Sequence, residues 1–342
     1  MPFANKQDRA LLLMNNTGNT YVEVDTTTAS NIESQPISRL YEPYLPLGAA
    51  VVLTGDGGDG KSFYTLALAT AISRGLPLPG MDAGFPASDI IISNTENQWA
   101  KVIKPRLEML GADCTKIHHI NINGKRLTLS DDRIEAAIRK HNAKFFVIDP
   151  MQDHLPSGTS MGRTESVRPL LSHLGDVAER TQSTILLVGH ITKGRGKAQH
   201  RGLGSVDIVN AVPSVLYLGK AENLDRDVRA VCHGKSNYAE LGATQLFRLN
   251  KKDGFQWLGE SDITPDDILN FNASKGRGED KSRIDEAADF LMELLSEGEA
   301  VSATEAMELA DEAGIAKRTV ERARAAMDVK AKRVEGHWMW HL

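Results

Sequence analysis

From Leu40 onward, short apolar runs alternate with amphipathic stretches. The runs Ala50–Thr54, Ile90–Ser93, Phe145–Asp149, Ile185–Gly189 and Val215–Leu218 are too short for helices and nearly free of polar residues. Runs of this kind read as strands buried on both faces, as in a parallel sheet with helices above and below. Tyr64–Arg74 reads as a helix, and Val102, Ile103, Leu107 and Leu110 fall on one face of another. Val228–Cys232 and Thr244–Asn250 read as an antiparallel region closing the sheet. The expected fold class is therefore α/β, with a mostly parallel sheet and helices on both faces.

The two ends differ from this core. Residues 1–33 are polar and Thr/Asn-rich, and read as a flexible arm with one short strand near Tyr21–Val24. The main domain is expected over 34–271, and a polar, glycine-bearing linker over 272–281. In 282–342, Ile284–Leu295 is a helix and Ser302-Ala-Thr-Glu305 is a capping box opening a second. Gly314 makes a turn, Lys317–Met327 is a third helix, and Val329–His341 folds as two strands around Glu335-Gly336. That order is a winged helix-turn-helix. On the third helix Ala316, Val320, Ala323 and Met327 are expected to face inward, with Arg318 and Arg322 opposite and Lys317 and Arg324 on the flanks. Between Ala313 and Glu335, seven basic residues (317, 318, 322, 324, 330, 332, 333) face three acidic ones (321, 328, 335). One basic helix plus a basic wing is a footprint for duplex DNA, and a winged helix used for protein contact is the competing reading.

Composition narrows the class further. With 342 residues, 41% hydrophobic and 25% charged, the chain is an ordinary soluble globular protein with room for one large and one small domain. Its net charge of −5 means that any nucleic-acid contact must come from a local basic face. Cys114 and Cys232 stand alone, so neither a disulfide framework nor a zinc site is expected from them. His118, His119, His200, His233, His337 and His341 lack the spacing and carboxylate company of a metal site. No apolar run approaches the ~18–20 residues of a membrane span. Leu11–Met14 is too short for a signal core, so a cytoplasmic protein without membrane contact is expected.

The chemistry starts in Val51–Phe63, where a strand runs into Gly55-Asp-Gly-Gly-Asp-Gly60-Lys61-Ser62, a fit to G-x-x-x-x-G-K-[ST]. Glycines turn backbone N–H groups toward phosphate, the lysine reaches the outer phosphates, and the serine hydroxyl ligates Mg2+. Gly55, Gly57, Gly58, Gly60, Lys61, Ser62 and Phe63 are thus the candidate ATP contacts. Asp59 would repel phosphate if turned inward, and is expected to point to solvent.

Further candidates sit at strand ends. Asp149 ends the strand expected to follow the phosphate-loop strand in the sheet, the place for a Mg2+-positioning carboxylate. Glu96, just past a strand expected to end beside the phosphate loop, can polarise a water for attack on the γ-phosphate; a plain surface glutamate is the competing reading. His190 ends another strand, either as a γ-phosphate sensor or as a structural histidine. The glycine-rich stretch after it carries Lys193, Arg195, Lys197 and Arg201, suited to a phosphodiester backbone or simply solvated.

Taken together, Tyr44-Leu-Pro-Leu-Gly48, the phosphate loop, Asn94-Thr-Glu-Asn97, Pro105–Asp113, Val147-Ile-Asp-Pro150, Val167-Arg-Pro169, Gly189-His-Ile-Thr-Lys193, Gly202-Leu-Gly-Ser205 and Gly234-Lys-Ser-Asn237 resemble the RepA-like, RecA-fold hexameric ATPases and replicative helicases of plasmids, prophages and mobile elements. The resemblance implies a RecA-like P-loop core using ATP and Mg2+, with Asp149 as the Walker B carboxylate and Glu96 as the catalytic glutamate. It also implies His190 as sensor and Lys235 as a positive finger entering the neighbouring subunit's site. Family members often carry an arginine two residues beyond that lysine; here Asn237 stands there, and Arg201 is the alternative finger. The implied function is a ring-type translocase or helicase, a homo-oligomer and typically a hexamer, with single-stranded DNA in the core and duplex DNA at the winged helix. The alternatives are an ATP-switched DNA-binding regulator or loader, and a signalling ATPase whose tail binds protein.

Overall fold

The computed structural model describes residues 13–14, 21–22, 25–121, 124–159, 164–190, 206–222, 224–250, 252, 254–271, 284, 287–288, 290–292, 294–295, 301–327, 329–334 and 337–341. The chain divides into two compact units, residues 1–38 and 39–342. In the first, β1 (Leu13–Met14) pairs antiparallel with β2 (Tyr21–Val22). The expected single strand thus has a partner.

The second unit opens with a small antiparallel pair, β3 (Arg39–Tyr41) and β4 (Leu45–Pro46). The main sheet strands are β5 (Ala49–Gly55), β6 (Ile90–Asn94), β7 (Ile117–His118), β8 (Phe145–Asp149), β9 (Thr184–His190), β10 (Ser214–Gly219), β11 (Val228–Ser236), β12 (Thr244–Asn250) and β13 (Gly254–Ser261). They form a nine-stranded sheet in the order β13-β12-β11-β10-β5-β9-β8-β6-β7. Pairing is parallel from β10 through β7 and antiparallel from β10 out to β13.

Side chains alternate between two cores. On β5, Ala50 and Val52 face one core and Val51 and Leu53 the other; on β8, Phe146 and Ile148 oppose Phe145 and Val147. The first core is roofed by α3 (Arg133–His141) and α4 (Thr164–Thr181) through Ile134, Ile138, Val167 and Leu171. The second is roofed by α1 (Lys61–Arg74) and α2 (Lys104–Leu110) through Tyr64, Leu68, Ile72 and Leu107. Burial on both faces explains why these strands are apolar at successive positions, up to Thr54 on β5 and Asp149 on β8. α5 (Val206–Ala211) precedes β10, and α6 spans residues 265–271.

The C-terminal region has a separate core of Ala287, Leu291, Leu295, Ala306, Ala310, Val320, Ala323, Val329 and Trp340. The described residues between 284 and 295 are helical. α7 (Ala303–Glu312) begins at Ser302, whose hydroxyl accepts from the Glu305 N–H at 3.1 Å, as the capping box predicts. α8 (Lys317–Ala326) follows the Gly314 turn. β14 (Val301–Ser302), β15 (Lys330–Val334) and β16 (His337–His341) form an antiparallel sheet in the order β14-β16-β15. Ala316 departs from expectation. It is exposed because it caps α8 in an extended conformation and never joins the helix face.

Candidate active site

The carboxyl ends of the parallel strands gather the site. β5 enters the phosphate loop at Gly55, where a Cβ would stand 2.1 Å from the Leu218 carbonyl oxygen, so only glycine fits. Gly60 has φ +97° and hands the loop to α1, a conformation that disfavours any side chain. No described atom lies within 4 Å of a Cβ built on Gly57 or Gly58, which leaves the crest of the loop open to a ligand.

Lys61 is 6% exposed, and its ammonium donates to the carbonyls of Gly55 at 2.8 Å and Asp56 at 2.7 Å. Burial lowers its pKa, against the opposing charges of Asp59, Asp149, Asp56 and Glu96. Ser62 Oγ donates to Asp149 Oδ2 at 2.7 Å, and Asn94 Nδ2 donates to the same oxygen at 3.1 Å. Asp149 is 4% exposed. Hydroxyl plus carboxylate is an oxygen donor set suited to Mg2+. The ring of Phe63 lies under the Arg106 guanidinium, 4.5 Å from its carbon, so its outer face is already covered.

Two positional expectations need correction. β9 lies between β5 and β8, so Asp149 is on the second strand from the phosphate loop rather than the next. β6 lies beyond β8 and does not end beside the loop strand. Glu96 is exposed in the loop after β6, and its carboxylate is close enough for its charge to act on Lys61. That loop is tied to the end of β8: Thr95 N–H donates to the Asp149 carbonyl at 3.2 Å, and Thr95 Oγ1 donates to Asp153 at 2.7 Å. Beneath it, Ser93 Oγ pairs with His154 Nε2 at 2.7 Å, while His154 Nδ1 bonds the Pro150 carbonyl at 2.8 Å. Because a carbonyl only accepts, Nδ1 carries the proton and the Ser93 hydroxyl donates to Nε2. Burial lowers the His154 pKa, which favours this neutral tautomer. His154 escaped sequence reasoning because nothing local marks a buried histidine fixing a strand end.

Asp59 is also corrected. It does not point to solvent: it is 8% exposed, and its Oδ2 is buried without a hydrogen-bond partner among the described residues. Burial and then Asp56 raise its pKa, while Arg229, Lys61 and Lys220 act the other way. Arg229, a residue the motif does not contain, is buried on β11 and donates to the carbonyls of Arg226 and Val228 at 2.8 and 2.9 Å.

Lys235 is turned into its own chain. Its ammonium donates to the carbonyls of Val209 at 2.9 Å, Asn210 at 3.2 Å and Val212 at 2.8 Å, closing the carboxyl end of α5. Burial lowers its pKa. The expected outward finger is therefore withdrawn in this conformation. His190 ends β9 in register with Gly55, which sets its backbone beside the phosphate loop; its side chain lies outside the described residues. Lys193, Arg195, Lys197 and Arg201 also lie outside the described residues. On α8, Lys317, Arg318 and Arg322 are exposed, whereas Arg324 packs over Trp340 at 5.0 Å and pairs with Glu321 at 3.3 Å.

A family model described as an AAA domain matches residues 20–196, more than half of the chain. The chain belongs to that family. Its AAA domain holds the whole phosphate loop, Glu96 and Asp149, and the chain is a P-loop ATPase. The DNA repair protein RadA of Streptococcus pneumoniae is 26% identical over 203 residues, 58% of this chain and 42% of RadA. The chain thus spans less than half the length of this curated relative. A solved ATPase domain aligns at 12% identity over 62% of this chain and 85% of that chain, with a TM-score of 0.47. Among the described residues, no helix is long and apolar enough to cross a membrane.

Proposed function

We propose that this AAA-domain protein is a ring-forming, ATP-driven DNA translocase or helicase that acts in replication of a mobile element. The observation that carries the reading is the convergence of Lys61, Ser62, Asp149 and Glu96 at one edge of the parallel sheet. Lys61 exchanges its two carbonyls for the outer phosphates of ATP. Ser62 and Asp149 would hold Mg2+, which would supply positive charge to the phosphate oxygens. Glu96 takes the proton of the attacking water, and Asn94 keeps Asp149 oriented. His190, one strand from the loop, senses the γ-phosphate for Lys193, Arg195, Lys197 and Arg201, which bear on single-stranded DNA.

Residues 282–342 are read as a winged helix that presents Lys317, Arg318 and Arg322 to duplex DNA, with Arg324 anchoring the helix to Trp340. The name of the relative RadA, a DNA repair protein, supports DNA as the polymer. ATPase rate with and without single-stranded DNA, alongside strand displacement on a forked duplex, tests the proposal. DNA-stimulated hydrolysis with displacement supports it, and hydrolysis indifferent to DNA overturns it.

A second reading is favoured by the inward Lys235 together with Asn237 at the family's usual arginine position. It is an ATP-switched DNA-binding regulator or loader, which would bind DNA and hydrolyse ATP slowly without displacing a strand.

A further inference from the structure

At the opposite end of β6 from Glu96, the fold assembles a cluster that the sequence disperses. Asp89 immediately precedes β6, His118 lies on the edge strand β7, and His141 is the last residue of α3. His118 Nε2 lies 2.7 Å from Asp89 Oδ1, and the two imidazole rings stack with centroids 3.8 Å apart and planes 21° from parallel. One ligand atom from each residue falls within 4.8 Å of the other two. All three side chains are half-buried, so the cluster is held in place yet reachable from solvent.

We propose that Asp89, His118 and His141 form a binding site for a divalent transition metal of the zinc class, remote from the nucleotide site. Two imidazoles and a carboxylate are the ligand types Zn2+ accepts, and they disfavour Mg2+ and Ca2+, which take oxygen. Ligands at about 2.0–2.2 Å from a tetrahedral ion stand roughly 3.3–3.6 Å apart, so closing the cluster takes shifts of about an ångström together with rotation of the two imidazoles out of their stack, which brings their in-plane lone pairs to one point. Three protein ligands leave one position for water. Five residues of strand separate Asp89 from Asn94, placing this metal roughly 16 Å from Asp149. Its role is to tie the edge strand β7 and the end of α3 to the start of β6, reinforcing the Asp89–His118 hydrogen bond and the His118–His141 stack that already link them. Lys116 Nζ, 3.7 Å from Asp89 Oδ2, competes with the metal for the carboxylate.

The test is a calorimetric Zn2+ titration of the full chain, with excess Mg2+ and a non-hydrolysable ATP analogue occupying the nucleotide site. One ion per chain is expected. His118→Ala and His141→Ala should each weaken binding at least about tenfold, as losing even an outer-shell partner of a metal ligand does. Lys116→Ala, which frees the carboxylate, should not weaken it. Melting midpoints in chelator report whether each variant is folded, and Co2+ in place of Zn2+ should give a visible spectrum of a nitrogen-bearing site. Equal stoichiometry and affinity in the parent and in His118→Ala/His141→Ala overturns the proposal, as does no binding by a folded parent. Either result would leave Asp89, His118 and Lys116 as a plain polar cluster.

Discussion

Ser62 Oγ donates to Asp149 Oδ2 across 2.7 Å, joining the first turn of α1 to a strand that is not its sheet neighbour. The two oxygen groups that would flank Mg2+ therefore lie within hydrogen-bond reach of each other. Asp149→Asn should keep this contact through its amide yet lose the charge that attracts the cation. ATP affinity measured in chelator should match the parent, while the gain on adding Mg2+ should vanish. A Mg2+ response equal to that of the parent would remove Asp149 from the metal site.

Glu96→Gln should bind ATP as the parent does and hydrolyse it about 10²–10⁴-fold more slowly, because only proton acceptance is lost. Single-turnover hydrolysis beside an equilibrium titration separates the two effects. A rate near that of the parent would assign water activation to another group.

Asp59 sets a charge against the phosphate loop. Its buried carboxylate has a raised pKa, so acidification neutralises it at higher pH than an ordinary aspartate. ATP affinity should rise as pH falls toward the carboxylate range, and Asp59→Asn should bind more tightly at pH 7.5 with a flatter pH profile. A gain of about tenfold corresponds to roughly 1.4 kcal/mol. Parallel pH profiles for the two proteins would show that Asp59 does not act on the ligand.

His233 links pH to stability. Burial holds its pKa down to about 4 from an ordinary 6.5. Its Nδ1 accepts from the Gly242 N–H at 3.1 Å, and Nε2 faces Ser214 Oγ at 3.1 Å, an arrangement that only the neutral ring completes. Above pH 6.5 the ring is neutral folded and unfolded, and its contribution is fully present. Between 6.5 and 4 the unfolded chain takes up a proton that the folded chain refuses, so stability falls with pH by up to about 1.4 kcal/mol per unit. Below 4 the effect is complete. Urea denaturation at pH 7.5, 6 and 5 should show a shallower slope for His233→Gln than for the parent.

Arg318 and Arg322 are exposed on α8, while Val320 and Ala323 beside them are buried in the C-terminal core. Arg318→Glu/Arg322→Glu should therefore stay folded but lose duplex affinity, with a smaller slope of log K against log salt by about 0.9 per lost phosphate contact. Superimposable binding curves would assign this surface to a protein partner.

Much of the core was legible because burial on both faces leaves a continuous apolar run, as in residues 145–148 of β8 and 185–188 of β9. β13 escaped notice because it alternates half-buried and exposed positions around Gly254 and Gly259. β7 and β14 are two residues each and leave no pattern at all. Val102 lies only half-buried because a π-type turn over Trp99–Ile103 shifts the helical register before α2. The phosphate loop could be read since its residues are contiguous. The order of strands could not, because the crossover that inserts β9 between β5 and β8 has no local sequence mark. Asp59 against Arg229, and Asp89 with His118 and His141, are products of that same long-range assembly.

An ammonium has three hydrogens, and Lys235 gives all of them to Val209, Asn210 and Val212. It cannot hold those carbonyls and a neighbouring subunit's nucleotide at once. If the side chain swings outward, the tail of α5 is left with bare acceptors, and α5 is the segment that follows the basic stretch 193–201. Assembly and helix anchoring would then be antagonists drawing on a single cation. Docking a second subunit would loosen the segment behind residues 193–201, which are proposed to bear on DNA, and separating the subunits would tighten it.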